Sequence, residues 1–307
     1  MRSLRIVLIL SLLLGTVLGC AQSADIPSFD SSSAFSALKK QVDIGPRYPG
    51  SKGQFACRDY IVSQLKPYAD EVTIQDFKHT ASGKELPLYN IIARFNTDAS
   101  KFILLAAHWD SRPIADKEVN PIKQAQPIPG ANDGASGVAV LLELAKMFKQ
   151  RQPEIGVIMV FFDGEDYALE TDSSEHMFLG SKYYAANLDS KTKSSIRFGI
   201  LLDMVGDKNL TIYQEVQSVK VAPEVVKTVW NTARSMGYER TFITQTKYDI
   251  MDDHVPLIRA GVKCIDIIDF DYGPWHTLDD TVDKCSADSL KIVGEVVARV
   301  IYKEKSN

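Results

Sequence analysis

The sequence predicts an α/β fold: a single domain with a mostly parallel, mixed central sheet covered by helices on both faces. Three observations carry this. Strand-like apolar runs alternate with segments of helical period along most of the chain. The runs at 102–107 and 156–162 are continuously apolar, as buried strands are. The 307 residues are 45% hydrophobic and 24% charged, which is enough apolar material for one large core, and neither an internal repeat nor a domain linker interrupts them.

Residues 33–42 and 53–65 read as helices, with apolar residues at three- and four-residue spacing. The rigid turn Gly45-Pro46-Arg47-Tyr48-Pro49-Gly50 separates them. Residues 71–77 alternate like a strand, 88–95 form another and 102–107 a buried one. A polar, Pro-containing loop occupies 111–129. The helix at 137–149 puts Val140, Leu141, Leu144, Ala145 and Phe148 on one face. The strand at 156–162 follows, then a polar segment at 170–176 and a helix at 178–187. A strand at 198–202, a helix at 223–236, a helix after His254, a strand at 262–268 and a closing helix at 287–302 complete the order.

The beginning of the chain reads differently. Arg2 and Arg5 precede an apolar run at 6–18, too short to span a bilayer comfortably and with the basic front of a secretory signal. It ends in Val17-Leu18-Gly19-Cys20, which resembles a bacterial lipoprotein cleavage box. The expected organisation is a signal peptide over 1–20, a tether over 21–33 and a catalytic domain over 34–307. The protein is expected to be exported to the periplasm or cell envelope, with a lipid on Cys20 as its sole membrane contact. A net charge of −4 points to neither nucleic acid nor an acidic lipid surface. Cys57, Cys264 and Cys285 remain; three thiols form at most one disulfide, none has metal-ligand spacing, and Cys264 sits in an apolar strand as a core residue.

The chemistry is carried by His108, Asp133, Glu165-Asp166, Asp203 and His276, most of them just after an apolar run. In an open α/β sheet, ligands gather beyond the carboxyl ends of the strands. Oxygen and imidazole donors delivered to one rim are what a zinc hydrolase or zinc transferase needs. Asp110, two residues after His108, is placed to orient the imidazole or a neighbour. Small residues surround Asp133 in Gly130-Ala131-Asn132-Asp133-Gly134-Ala135, letting the backbone pass close to a metal, where a helix cap is the plainer use of such an Asp. Adjacent carboxylates at Glu165 and Asp166 repel unless a cation is present; one can bind metal while the other moves protons. In Trp275-His276-Thr277-Leu278-Asp279-Asp280, an Asp is expected to hold the imidazole in its binding tautomer.

With these motifs, residues 45–302 resemble the zinc aminopeptidase and glutaminyl cyclase superfamily. Phe161-Phe162-Asp163-Gly164-Glu165, the excursion at 167–177 leading into Leu179-Gly180-Ser181, the run from Asp252-Asp253-His254 to Val262, and Trp275 directly before His276 are similar to the animal-type glutaminyl cyclase branch. The resemblance implies one zinc on Asp133, Asp166 and His276, and conversion of N-terminal glutaminyl residues of peptides or proteins to pyroglutamyl. It gives Glu165 the proton transfers and makes Asp203 and Asp252 a hydrogen-bonded acidic pair. Trp275 would wall the substrate pocket with help from Trp109, and a small pocket implies broad tolerance beyond the first residue or two. Two departures stand out: Asp166 replaces the more usual Glu, and the cysteine pair common near the His-x-Asp strand is missing. His108 and Asp203 are kept, so a two-zinc aminopeptidase, with those two residues on the second zinc and Glu165 activating a water, is the alternative. A binding protein that has lost catalysis is the third reading; such relatives lose ligands, which this chain keeps.

Overall fold

The structure is a computed structural model describing residues 26–81, 83–167 and 174–306. The expected signal peptide, Cys20 and the first part of the expected tether lie outside these residues, as does part of the 167–177 excursion.

Strand β1 (Glu71–Ala81) folds back on β2 (Lys84–Phe95) as an antiparallel hairpin, and β2 pairs antiparallel with β4 (Gly156–Phe162). From β4 the sheet continues in parallel through β3 (Phe102–His108) and β5 (Ile196–Asp203) to β8 (Cys264–Ile268). The six-stranded order is therefore β1-β2-β4-β3-β5-β8, the mixed but mostly parallel sheet that the alternating pattern predicts. Every residue of β3, β4 and β8 is buried, which explains the continuous apolar runs of β3 as far as Ala107 and of β4; β8 is apolar but for Asp266. A separate parallel pair, β6 (Ile212–Gln214) and β7 (Phe242–Thr246), has no counterpart in the sequence reading, being three and five residues long.

Both faces are covered. Helices α1 (Ser31–Ile44), α2 (Lys52–Leu65), α4 (Ala135–Gln150), α8 (Pro223–Ser235) and α10 (Ala287–Lys303) enclose the larger core with Ile103, Leu105, Met159 and Ile200. On the opposite face Tyr184 of α5 (Leu179–Ala186) and Leu257 of α9 (His254–Arg259) pack on Leu104, Ile158 and Leu201. Short helices α3 (Pro121–Gln124), α6 (Ser190–Ser195) and α7 (Val216–Val221) sit in the connections. Among the described residues no helix is long and apolar enough to cross a membrane. Cys57, Cys264 and Cys285 are all buried and free.

The expected tether over 21–33 needs correction where it is described. Phe29 is buried in the larger core, and its ring lies so close to Gly294 of α10 that a Cβ there would come within 2.1 Å. Asp30 accepts a hydrogen bond from the Ser33 amide at 3.0 Å, so α1 starts at Ser31 inside the expected linker. Serines and an aspartate, the composition of a linker, are here the cap and first turn of a helix.

A candidate metal centre at the strand ends

The parallel strands end together, and the acids and imidazoles follow. His108 is the last residue of β3 and Asp203 the last of β5. Glu165 and Asp166 follow β4 after a turn at Asp163-Gly164. Gly164 has φ +69°, a left-handed conformation suited to glycine, and a Cβ there would meet Leu88 at 2.6 Å. Asp163 points back into the fold, accepting hydrogen bonds from Gln54 Nε2 at 2.7 Å and from the Tyr89 amide at 2.9 Å. The Asp133 loop is fixed from two sides. Asp280 accepts the amides of Asn132 and Asp133, and buried Arg47 donates to the carbonyls of Trp109, Pro129 and Gly130. Asp133 does not cap α4: the cap position is Gly134, with no side-chain hydrogen bond. A Cβ at Gly134 would lie 2.5 Å from the His108 ring, so the small residues do admit a close backbone approach.

Asp133, Asp166 and His276 each offer one donor atom, and these atoms lie within 4.8 Å of one another. His276 Nε2 stands 3.7 Å from Asp133 Oδ2 and 3.5 Å from Asp166 Oδ1. Its Nδ1 faces Asp116 Oδ1 at 3.0 Å. Arg112 spans Asp116 and Asp166. His108 turns Nε2 to Asp133 at 3.1 Å and to Asp203 at 3.2 Å, making a second group that shares Asp133. Its Nδ1 lies 3.3 Å from Asp110 and 3.8 Å from Glu165 Oε2. Asp110 also accepts the amides of Glu165 and Asp166 at 3.1 and 3.2 Å, so it orients both the imidazole and the carboxylate pair.

This crowding shows in the protonation equilibria. Burial, and then the Asp166 charge, raise the carboxyls of Asp133 and Glu165 above the usual range. Burial also pushes Asp166 up, but His276 and Arg112 outweigh it and hold Asp166 at about 2. Burial pulls His276 down, and Asp166 and Asp116 more than offset this, bringing it to about 9. Asp252 is pushed up to about 7 by burial and by Asp203. The donor set suits zinc: two carboxylates and an imidazole, with Oδ2 of both Asp133 and Asp166 buried and lacking any hydrogen-bond partner.

The centre floors a pocket of about 320 Å³ that also takes in Glu165, Asp203 and Asp252. Trp275 lines it, with its ring centroid 3.9 Å from that of His276. Met177, Phe178, Ile250 and Phe270 contribute apolar wall. Three expectations change. Trp109 is not at the pocket: it is fully buried in the larger core and donates Nε1–H to the Tyr89 carbonyl. The carboxylate facing His276 Nδ1 is Asp116, not an aspartate of the Asp279-Asp280 pair. Asp252 Oδ2 has no hydrogen-bond partner; Asp266 of β8 lies within 4.8 Å of Asp252, while Asp203 reaches His108 at 3.2 Å and acts on Asp252 through its charge. Arg112, Asp116 and Asp266 were therefore missed. Arg112 and Asp116 lie in a segment without periodicity, where their i, i+4 spacing was the one available signal; Asp266 alone interrupts an apolar strand, which was a readable anomaly.

A mostly parallel α/β sheet with a buried acid–imidazole centre at its carboxyl rim defines a zinc exopeptidase-type fold, and the chain belongs to Peptidase family M28, which it matches over residues 90–301. Among solved structures, a leucine aminopeptidase precursor from Bacteroides thetaiotaomicron is 41% identical, with a TM-score of 0.87 over 92% of this chain and 99% of that one. A glutaminyl cyclase from the same species, bound to N-acetylhistamine, is 40% identical, with a TM-score of 0.86 over 92% and 100%. The glutaminyl-peptide cyclotransferase of Drosophila melanogaster is 26% identical over 285 residues, covering 83% of this chain and 78% of its own.

Proposed function

We propose that this chain is a zinc-dependent glutaminyl-peptide cyclotransferase. It would convert N-terminal glutaminyl residues of peptides and proteins to pyroglutamyl, releasing ammonia. The observation that carries the reading is one small pocket holding the Asp133–Asp166–His276 donor set beside two carboxyls outside that set, Glu165 and Asp252, the latter pushed up to about 7 by burial and Asp203. The relatives named as cyclotransferases support it by their coverage of this chain.

Asp133, Asp166 and His276 would hold a zinc ion, which would supply Lewis acidity toward the substrate's side-chain carbonyl. The α-amine forms a bond to the side-chain amide carbon, and the bond from that carbon to the amide nitrogen breaks. Nucleophile and electrophile belong to one residue, so the walls serve mainly to hold the bent conformation. A free α-amine has a pKa of about 7.7–8.0, so part of it is already neutral near pH 7. Glu165 accepts the proton the amine loses on attack and returns it to the departing nitrogen. Asp252, raised to about 7 by burial and by Asp203, donates toward the leaving amide while protonated. His108 and Asp203 brace the Asp133 side of the floor. Export, with a lipid on Cys20, completes the proposal.

Mass spectrometry of a peptide beginning with Gln, incubated with the purified zinc-loaded protein, tests it. Loss of one ammonia with the peptide otherwise intact is the expected result. A peptide shortened by one residue would instead establish the aminopeptidase reading. The grouping of His108 and Asp203 around Asp133 favours that reading as the second one, because it would hold another zinc.

A further inference from the structure

The chain has five histidines. His108, His254 and His276 are buried among the acids of the centre. The other two, His79 and His176, are partly buried and 97 positions apart, yet His79 Nε2 lies 2.8 Å from His176 Nδ1. His79 stands near the end of β1, the edge strand of the sheet. Phe77, two residues earlier and so on the same face, stacks on Tyr183 of α5 with centroids 4.2 Å and planes 5° apart. That stack fixes β1 against α5, and the imidazole pair makes the next contact along the strand.

His176 ends the 3-10 turn Ser174–His176, and the next two residues, Met177 and Phe178, line the pocket. The Phe178 and Leu179 amides donate to the carbonyls of Glu165 and Gly164. The imidazole pair therefore joins an edge strand to the stretch of chain that becomes pocket wall. Between neutral rings the plain use of this contact is one hydrogen bond, one nitrogen donating and the other accepting. The geometry admits more. The rings meet edge to face, with centroids 5.1 Å and planes 68° apart. Two imidazole nitrogens on one tetrahedral ion, each about 2.0–2.1 Å from it, stand about 3.3 Å apart, so an opening of about half an ångström lets an ion in. Both rings reach solvent, which gives the ion an entry and water to complete its coordination. Glu175 and Lys182 are charged neighbours of His79, one of each sign, so the imidazoles themselves must supply the affinity.

We infer that His79 and His176 form a second, peripheral binding site for a late first-row divalent cation, Cu2+, Ni2+ or Zn2+, and that the ion clasps residues 176–178 of the pocket wall to β1. Imidazole suits these three ions, and copper binds most tightly among them. With two protein ligands and water for the rest, the pair holds zinc more weakly than the three-donor centre and fills only when zinc is in excess over stoichiometric addition. The inference does not depend on which reaction the centre performs.

The test adds Cu2+ to zinc-loaded full-length protein at about pH 8, where ordinary imidazoles are neutral, and reads the electron paramagnetic resonance spectrum. The parent should show copper bound by two imidazole nitrogens. His79→Ala and His176→Ala should each lose that signature while keeping the zinc of the centre. Both residues are partly exposed and lie on different elements, so both variants should fold. No two-imidazole signal in the parent, or one that survives both substitutions, overturns the site. The clasp is read separately, with excess Zn2+ as the probe, by hydrogen exchange followed by mass spectrometry. Exchange over residues 176–179 should slow on adding zinc to the zinc-loaded parent and should not respond in His79→Ala. Exchange that excess zinc leaves unchanged in the parent, or slows equally in the variant, overturns the clasp.

Discussion

Single side chains divide the work at the centre, and two of them can be separated by experiment. Glu165 lies in the pocket without belonging to the Asp133–Asp166–His276 donor set. Glu165→Gln should therefore keep its zinc and lose about 10²–10⁴-fold in kcat, the usual range for a lost general acid–base; a variant purified without zinc would mean that Glu165 is a ligand. Asp116 acts through another residue. Its carboxylate, 3.0 Å from His276 Nδ1, favours a proton on that nitrogen and so leaves Nε2 for the metal, and it also positions Arg112, which neutralises one oxygen of Asp166. Asp116→Asn should weaken zinc binding about 10–100-fold in competition with a chromophoric chelator, and unchanged affinity would leave Asp116 with a purely structural part. The two residues differ in how readable they are. Glu165 announces itself as a charged pair ending an apolar strand. Asp116 sits in an irregular loop, and only the tertiary fold brings it to an imidazole far along the chain.

Elements were legible in proportion to their length and burial. Strands β3, β4 and β5 and helices α4, α8 and α10 follow from apolar period alone, because burial fixes their residues. The pair β6–β7 and helix α7 do not, being too short to establish a period. Their order comes from polar contacts: Glu215 caps α7 through the amides of Gln217 and Ser218 and also accepts the Ile250 amide, tying α7 to the pocket wall. Burial raises the Glu215 carboxyl, but the His254 imidazole 3.3 Å away and the hydrogen bonds from those amides outweigh it and hold it at about 2. A depressed carboxyl pKa contributes stability above the unfolded value, which is lost as pH falls from about 5 toward 2. Glu215→Gln should lose on the order of 2 kcal/mol at neutral pH in denaturant titrations, with the gap to the parent closing over that acid window; a gap independent of pH would assign the loss to packing alone. Gly137 marks the other constraint on this scale. A Cβ there would stand 2.2 Å from the Leu202 carbonyl, a backbone atom that cannot swing aside. Gly137→Ala should push α4 off β5 and destabilise the fold by about 1–3 kcal/mol in the same titration.

At the scale of the whole molecule, the parallel strands bring their acids to one place, and the domain's stability becomes linked to a cation. Asp133, Glu165, Asp166, Asp203 and Asp252 share one pocket floor, with Asp266 behind Asp252. His108, His276 and Arg112 offset only part of that charge, and burial with the neighbouring carboxylates raises the carboxyls of Asp133, Glu165 and Asp252. A divalent ion taken up by the folded state and not by the unfolded chain offsets that charge and stabilises the fold by mass action, by about 4 kcal/mol at a thousand-fold excess over Kd. For a domain of this length that corresponds to a rise in Tm on the order of 10 °C. Thermal unfolding should therefore show a large drop when chelator strips the metal, and full recovery with zinc. Because stabilisation requires the site to fill, the zinc added per chain at which Tm stops rising also counts the ions. A plateau at one equivalent fits the cyclase centre on Asp133, Asp166 and His276. A second step at two equivalents would place an ion on His108 and Asp203 and return the aminopeptidase reading to first place. No change in Tm on chelation would mean that the acids are balanced by protons alone and that the centre is not a metal site.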